Sequence, residues 1–191
     1  VPVLTVIAGP NGSGKSSFTR RMDFEGRGNL LDPDALARNI NAPNPRDAAI
    51  SAARLALTRT RDYLLHGTSF AVETTLSGRG NMKLMAEAHS CGYQIHLVFI
   101  ALGSPEKCIA RIRTRAERGE HFVPDVEVRR RYARSLANLI EAIRLADIAE
   151  VFDNSGDGHR AILVARAGVI VWRAARMPRW AEVLSILEQN Q

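Results

Sequence analysis

Eight residues near the start of the chain carry the first readable chemistry. Gly9-Pro10-Asn11-Gly12-Ser13-Gly14-Lys15-Ser16 has the form G-x-x-x-x-G-K-[ST]. A triphosphate carries several negative charges, so its site needs many N–H donors and no side chains crowding the backbone. Gly9, Gly12 and Gly14 let the chain turn with its amides inward as an anion nest, and a helix starting at the lysine adds its positive end. In this pattern Lys15 reaches the β- and γ-phosphates and Ser16 offers a hydroxyl to Mg²⁺, while Asn11, Ser13 and Ser17 complete the cofactor-binding stretch. An apolar run before the motif (Val3 to Ala8) and a helical stretch after it (Lys15 to Met22) supply the strand and helix such a loop requires. The pattern announces a nucleoside triphosphate with Mg²⁺ and leaves open what becomes of the phosphate.

Three other groups of residues bear on that question. Asp32-Pro33-Asp34 follows the apolar pair Leu30-Leu31. In an open α/β sheet the carboxyl ends of neighbouring strands converge on the ligand crevice. A carboxylate there either accepts the proton of an attacking hydroxyl or holds Mg²⁺ through water. An aspartate before a helix is equally a good cap, and the residues alone leave Asp32 and Asp34 undecided. "FAVETTLS" ends an apolar strand in Glu73, Thr74 and Thr75, hydrogen-bonding partners for an acceptor substrate. Glu73 competes with Asp34 as the acid that organises Mg²⁺, Asp153 is a weaker third candidate, and a solvated strand end would look similar. The third group is "ARIRTRAERGEHFVPDVEVRRRYARSL": Arg111, Arg115 and Arg118 at helical spacing, a break containing His121, then Arg129, Arg130, Arg131 and Arg134. Two basic helices joined by an irregular segment, about 111–134, suit a lid whose arginines neutralise charge on a transferring phosphoryl group. A solvated helix face or a nucleic-acid patch would also be arginine-rich, but Phe122 and Tyr132 are the only aromatics in the run. Not all these arginines can point inward, because residues 129–131 span nearly a full helical turn.

The elements that must hold these groups alternate along the chain. Val3 to Ala8 reads as a strand and Lys15 to Met22 as a helix. Leu30-Leu31 ends a second strand, with a helix following to Ile40. Asn44-Pro45 opens a long helical pattern with Ile50, Leu57, Leu64 and Leu65 facing inward and Gly67 as its stop. Ser69 to Glu73 and Tyr93 to Ala101 are strands separated by a helix from Asn81 to Ser90. Helices follow from Pro105 to Arg118 and from Asp125 to Leu145, then a short strand in "EVFDNS". "AILVARAGVIVW" reads as a hairpin turning near Ala167-Gly168, and an amphipathic helix from Pro178 closes the chain. Alternating strands and helices imply crossover units and a mostly parallel sheet covered on both faces.

Composition agrees with one α/β domain over residues 1–191, with 46% apolar and 24% charged residues. No run approaches the roughly 18 consecutive apolar residues of a membrane helix, which makes a cytoplasmic protein without membrane contact the expectation. Cys91 and Cys108 have no metal-ligand spacing and read as small core residues. The formal charge is +6, and among 26 basic residues only Lys15, Lys83 and Lys107 are lysine. Arginine codons of a GC-rich genome would give this bias, and so would a need for the bidentate phosphate grip of guanidinium.

Taken in order, "GPNGSGKSS", "LLDPDALA", "FAVETTLSG" and "ARIRTRAERGEHFVPDVEVRRRYARSLANL" resemble the zeta-toxin family of kinases in its short stand-alone form. The likeness runs over about residues 3–155, and the tail "ARAGVIVWRAARMPRWAEVL" also looks like that form's terminus. It implies a three-layer P-loop kinase fold with a helical arginine-bearing lid, similar in core to chloramphenicol phosphotransferase and polynucleotide kinase. It implies transfer of the γ-phosphate of ATP to a sugar hydroxyl of UDP-N-acetylglucosamine, and an antitoxin protein as a separate partner. By position Asp34 matches the general base, Lys15 and Ser16 the loop lysine and Mg²⁺ hydroxyl, and Glu73 and Thr74 the acceptor-binding stretch, with Thr75 beside them. Arg115 and Arg131 are the matching lid arginines, and His121 lies in the family-like G-x-H-x-V-P turn. The chain is shorter than the longer toxins, and its turn "RGEHFVP" differs from theirs, which leaves the acceptor open. A kinase for an antibiotic, a nucleoside or a polynucleotide 5′-end, and a nucleotide-dependent regulatory ATPase, are the alternatives, with nucleic acid the less favoured partner.

Overall fold

The computed structural model describes residues 1–41, 43–45, 47–117 and 122–188. Seven strands form one sheet in the order β2-β3-β1-β4-β5-β6-β7. The strands are β1 (Val3–Ala8), β2 (Leu30–Leu31), β3 (Phe70–Thr74), β4 (Gln94–Ala101), β5 (Ile148–Asp153), β6 (Arg160–Arg166) and β7 (Val169–Arg173). The first five run parallel, and β6 and β7 add an antiparallel hairpin at one edge. The expected α/β sheet and the hairpin at Ala167-Gly168 are therefore both present. The helices are α1 (Lys15–Arg21), α2 (Pro33–Ile40), α3 (Ala49–His66), α4 (Gly80–Ser90), α5 (Pro105–Ala116) and α6 (Asp125–Leu145). The closing element (Arg179–Leu187) is wound as a 3₁₀ helix rather than an α-helix.

Each strand shows the period of two that assigns alternate residues to opposite faces. Leu4, Val6 and Ala8 of β1 join Ile95, Leu97, Phe99 and Ala101 of β4 on one face. There α4, α6 and the closing 3₁₀ segment bury Met82, Met85, Leu139, Ile143, Trp180 and Leu184 against them. On the other face Ile7, Val98 and Ile100 pack on Phe18 of α1. Phe18 is the main apolar anchor of that short helix, and burying such a side chain contributes about 1.5–3 kcal/mol. Helices on both faces make the three-layer arrangement.

Two expectations fail on packing. In α3 the side chains of Ile50, Leu57 and Leu65 are 70%, 59% and 81% exposed. The face that docks is instead Ala52 with Leu55 and Ala56, set against Leu36 and Ala37 of α2. Small residues let α3 lie close to α2, while Ile50, Leu57 and Leu65 are left outside and Leu64 packs on the main core as expected. The helix also starts at Ala49, after turns that follow Asn44, and stops as expected at Gly67, whose φ of 62° is left-handed. Cys91 lies exposed at the end of α4, whereas Cys108 is buried as expected.

Candidate functional site

Parallel strands deliver their carboxyl ends to one edge of the sheet, and register decides what meets there. Ile7 pairs with Glu73 and Ala8 with Thr74 across β1 and β3, and Leu31 pairs with Val72 across β2 and β3. The loop after β1, the acid ending β3 and the aspartates after β2 therefore emerge side by side. Gly9 N continues the ladder by donating to Thr74 O at 3.2 Å. The loop then turns through positive φ at Gly9 (142°), Gly12 (77°) and Gly14 (103°), the conformations its glycines were expected to supply. Ser17 and Phe18 donate to Gly14 O, which starts α1 at the lysine.

Lys15 is only 8% exposed. Its ammonium donates to the carbonyls of Gly9 (2.9 Å) and Pro10 (3.1 Å), folded back over the loop that carries it. Burial pulls its pKa below the ordinary lysine value, opposed by the negative charges of Glu73, Asp32 and Asp34. Asn11 Oδ1 and Ser13 Oγ are buried and make no hydrogen bond among the described residues. Each such atom costs about 1–3 kcal/mol when left unsatisfied. A positive-φ nest, a buried ammonium and unused polar atoms together suit a phosphate chain.

Ser16 Oγ donates to Glu73 Oε1 at 3.2 Å, joining the loop hydroxyl to the acid at the end of β3. Burial raises the Glu73 pKa above the usual carboxylate value, against the nearby Lys15 charge and the Ser16 hydrogen bond, and Asp32 and Asp34 raise it further. The two aspartates play different parts. Asp32 caps α2, its Oδ1 accepting from Asp34 N at 2.9 Å, and its other oxygen lies 3.8 Å from Arg38. The Asp34 carboxylate is exposed and unpaired among the described residues, near enough to influence both Lys15 and Glu73. Thr74 Oγ1 accepts from Leu76 N (3.0 Å) and Asn81 Nδ2 (2.7 Å), which leaves its hydroxyl hydrogen for a ligand. Thr75 Oγ1 meets Ser77 Oγ at 2.8 Å. Asp153, at the end of β5, is engaged elsewhere, as described below.

The arginine segment is more firmly anchored than a loose flap. Leu102, Cys108, Ile109, Ile112, Val123, Val128 and Tyr132 form a small core between α5 and α6, and Tyr132 Oη donates to Leu102 O at 2.7 Å. Arg129 pairs with Glu106, Arg113 with Asp125, and Arg130 and Arg131 with Glu127. Arg115 is half-buried on α5 and Arg134 exposed on α6. Arg118 and His121 lie outside the described residues. Arg111 Nη2 donates to Asn154 O at 2.8 Å, which brings this arginine beside the loop.

Sequence reasoning missed the residues on the far side of the loop. Asn154 Nδ2 donates to Ser13 O at 2.8 Å and His159 Nε2 contacts Gly14 O at 3.2 Å. Both belong to the turn between β5 and β6, which lines an open cleft of about 400 Å³ with Asp153, Gly156, Asp157, Gly158, His159 and Arg160. The signal was present in "DNSGDGH": a Gly- and Asn-rich turn leaving the carboxyl end of a parallel strand borders the ligand crevice.

The model of AAA_33, an AAA domain, matches residues 4–139, which takes in the loop, Asp34, Glu73 and both arginine helices. The chain belongs to this family. An uncharacterised protein of Haemophilus influenzae is 36% identical over 124 residues, 65% of this chain and 88% of that protein. Among solved structures, the AvrRxo1-ORF1:ORF2 complex with ATP superimposes with a TM-score of 0.72 at 15% identity over 97% of this chain. The chain spans 63% of the length of that neighbour. A structure from the PezAT chromosomal toxin–antitoxin system of Streptococcus pneumoniae gives a TM-score of 0.64 at 15% identity, covering 98% of this chain and 85% of that one. These likenesses show a shared α/β fold, a mostly parallel sheet flanked by helices. Among the described residues no helix is long and apolar enough to cross a membrane.

Proposed function

We propose that this AAA_33 protein is an ATP-dependent kinase of zeta-toxin type. Its acceptor is a hydroxyl of UDP-N-acetylglucosamine or a related sugar nucleotide, and it acts as the toxin of a pair with a separate antitoxin protein. The observation that carries the reading is the convergence of Lys15, the linked Ser16 and Glu73, and the unpaired Asp34 at one sheet edge. A switch protein needs the loop alone. A transferase needs in addition an accessible base and an acceptor wall, which Asp34 and the polar turn Thr74 to Ser77 supply.

On this reading the loop amides and Lys15 hold the triphosphate. Ser16 Oγ and the Glu73 carboxylate would hold Mg²⁺, which when bound neutralises charge on the β- and γ-phosphate oxygens. Asp34 takes the proton of the acceptor hydroxyl as its oxygen bonds to the γ-phosphorus, and the bond from that phosphorus to the bridging oxygen breaks to release ADP. Thr74 and Thr75 face the acceptor. Arg115 and Arg131 neutralise the transferring group, Arg131 exchanging Glu127 for phosphate. The assembly of the two structural neighbours with an ORF2 protein and within a toxin–antitoxin system supports a protein partner here.

Incubation with labelled ATP and, in turn, UDP-N-acetylglucosamine, an oligonucleotide 5′-end or buffer alone tests the reading. Label on the sugar nucleotide is expected, and Asp34→Asn should abolish it while ATP binding persists. Ordinary turnover by Asp34→Asn refutes the base, and label found only in inorganic phosphate refutes the kinase.

A further inference from the structure

The turn between β5 and β6 does more than border the cleft. Asn154 is 7% exposed, and its backbone N donates to Ala101 O at 2.8 Å, extending the β4–β5 ladder one residue beyond Asp153. From that fixed place its Nδ2 reaches Ser13 O, while its own carbonyl accepts from Arg111. The approach is close: a Cβ on Gly14 would stand 2.2 Å from Asn154 Nδ2 and 3.3 Å from His159 Nε2. His159 takes the next carbonyl, Gly14 O. A carbonyl only accepts, so the ring carries its proton on Nε2. Its edge rests on Phe18, with ring centroids 5.5 Å apart at 84°.

Two successive carbonyls of the loop are therefore tied to one turn, and peptide geometry carries the consequence across. In a planar trans peptide the C=O and N–H point in opposite directions. Ser13 C=O shares its peptide with Gly14 N–H, and Gly14 C=O shares its peptide with Lys15 N–H. Fixing the two carbonyls from behind aims these two amide donors the other way, into the nest. We propose that Asn154 and His159 are positioning residues that set the amide donors of the phosphate loop, and that Asp153 and Trp180 hold them in register. Asp153 is 7% exposed, and its Oδ1 accepts from Trp180 Nε1 at 2.9 Å and from Ser155 Oγ at 2.6 Å. Its Oδ2 lies 3.6 Å from Arg160. Trp180 is itself buried beside Phe99, so the closing 3₁₀ segment moors the turn that aims the loop.

The inference rests on reading the loop as a nucleotide cradle, so binding is measured apart from transfer. Titration calorimetry with ATP on the full chain compares wild type with Asn154→Ala, His159→Phe, His159→Gln and Trp180→Phe, and thermal melting checks each fold. Trp172→Phe, at a 48% exposed site on β7, is the control. Loss of one such hydrogen bond should raise the ATP Kd about tenfold in Asn154→Ala and His159→Phe, and about threefold in Trp180→Phe, where the lost bond is one step removed. His159→Gln, whose amide nitrogen stands where Nε2 stood, should recover most of the loss. In transfer assays the KM for ATP should rise while that for the acceptor stays put. Variants that melt earlier but bind ATP with wild-type Kd overturn the proposal, as does His159→Gln binding no better than His159→Phe. Wild type failing to bind ATP would refute the cradle itself, a result separable from either.

Discussion

Replacing Gly12 by alanine tests how the phosphate loop is shaped from behind. Two costs add at this position. The φ of 77° is one that an L side chain adopts poorly, which costs about 1–2 kcal/mol. A Cβ there would also lie 2.7 Å from Cys108 O and 3.2 Å from Ile112 Cγ1. The first is backbone of α5, which cannot move aside alone because Cys108, Ile109 and Ile112 are packed into the core with α6. Forcing an extra methyl into such a place costs about 1–3 kcal/mol. Gly67 separates the two contributions: its φ is 62°, but nothing lies within 4 Å of its Cβ position. Gly67→Ala should therefore lose about 1 kcal/mol in urea unfolding, and Gly12→Ala about 2–4 kcal/mol. Gly78→Ala, with open space and ordinary backbone, is the reference. ATP affinity should fall in Gly12→Ala alone. Equal losses in Gly12→Ala and Gly67→Ala would refute the claim that α5 braces the loop.

Lys15→Ala should weaken ATP binding and phosphate transfer together, as read by calorimetry and by label transfer, since its ammonium is the buried positive charge of the nest. A disulfide-exchange reagent at pH 8 should titrate one thiol, the exposed Cys91, in the native protein and two after denaturation, because burial pushes the Cys108 pKa up to about 12. Tyr132→Phe removes the donor to the buried Leu102 carbonyl and should cost about 1–3 kcal/mol in urea unfolding, with the α5–α6 pair loosened. Glu150 accepts from His96 at 2.9 Å, and this bond holds its carboxyl below the ordinary value of 4.5. A depressed folded-state pKa gives stability that is present above the unfolded value and lost as pH falls through the folded one. Glu150→Gln should therefore lower the melting temperature at pH 8, where that contribution is fully present, and change it little in acid below the folded-state pKa, so that the acid limb of the profile flattens.

What the sequence revealed depended on whether a residue's role was written locally or across the sheet. Loop, strand order of types and the α6 bounds follow from short-range rules: glycine turns, apolar runs and helical period. The division between Asp32 and Asp34 was open because both suit a cap, and only the hydrogen bond from Asp34 N decides which one is used. The inward face of α3 was misread because Ile and Leu outweigh Ala on any hydropathy count, yet close packing on α2 selects small residues. Arg111 could not be told from its neighbours, since helical spacing does not say which arginine meets a turn 43 residues further on. The turn "DNSGDGH" could be placed at the crevice by its composition, but which of its residues, Asn154 and His159, touch the loop could not be read for the same reason. Their partners are backbone carbonyls, which leave no mark in a sequence.

The electrostatics of the crevice bear on why this site would seek a triphosphate. Lys15 and Glu73 are opposite charges that attract, yet burial moves both pKa values toward the neutral forms. The attraction does not repay the desolvation, the usual outcome for an enclosed ion pair. The raised Glu73 weighs against stability as pH rises through its folded-state value, and the lowered Lys15 does so as pH falls through its own. Near neutral pH the free protein thus holds an arrangement that costs it stability. On the proposed reading the γ-phosphate meets the lysine and Mg²⁺ meets the glutamate, which adds a full opposite charge to groups otherwise held by two backbone carbonyls and one hydroxyl.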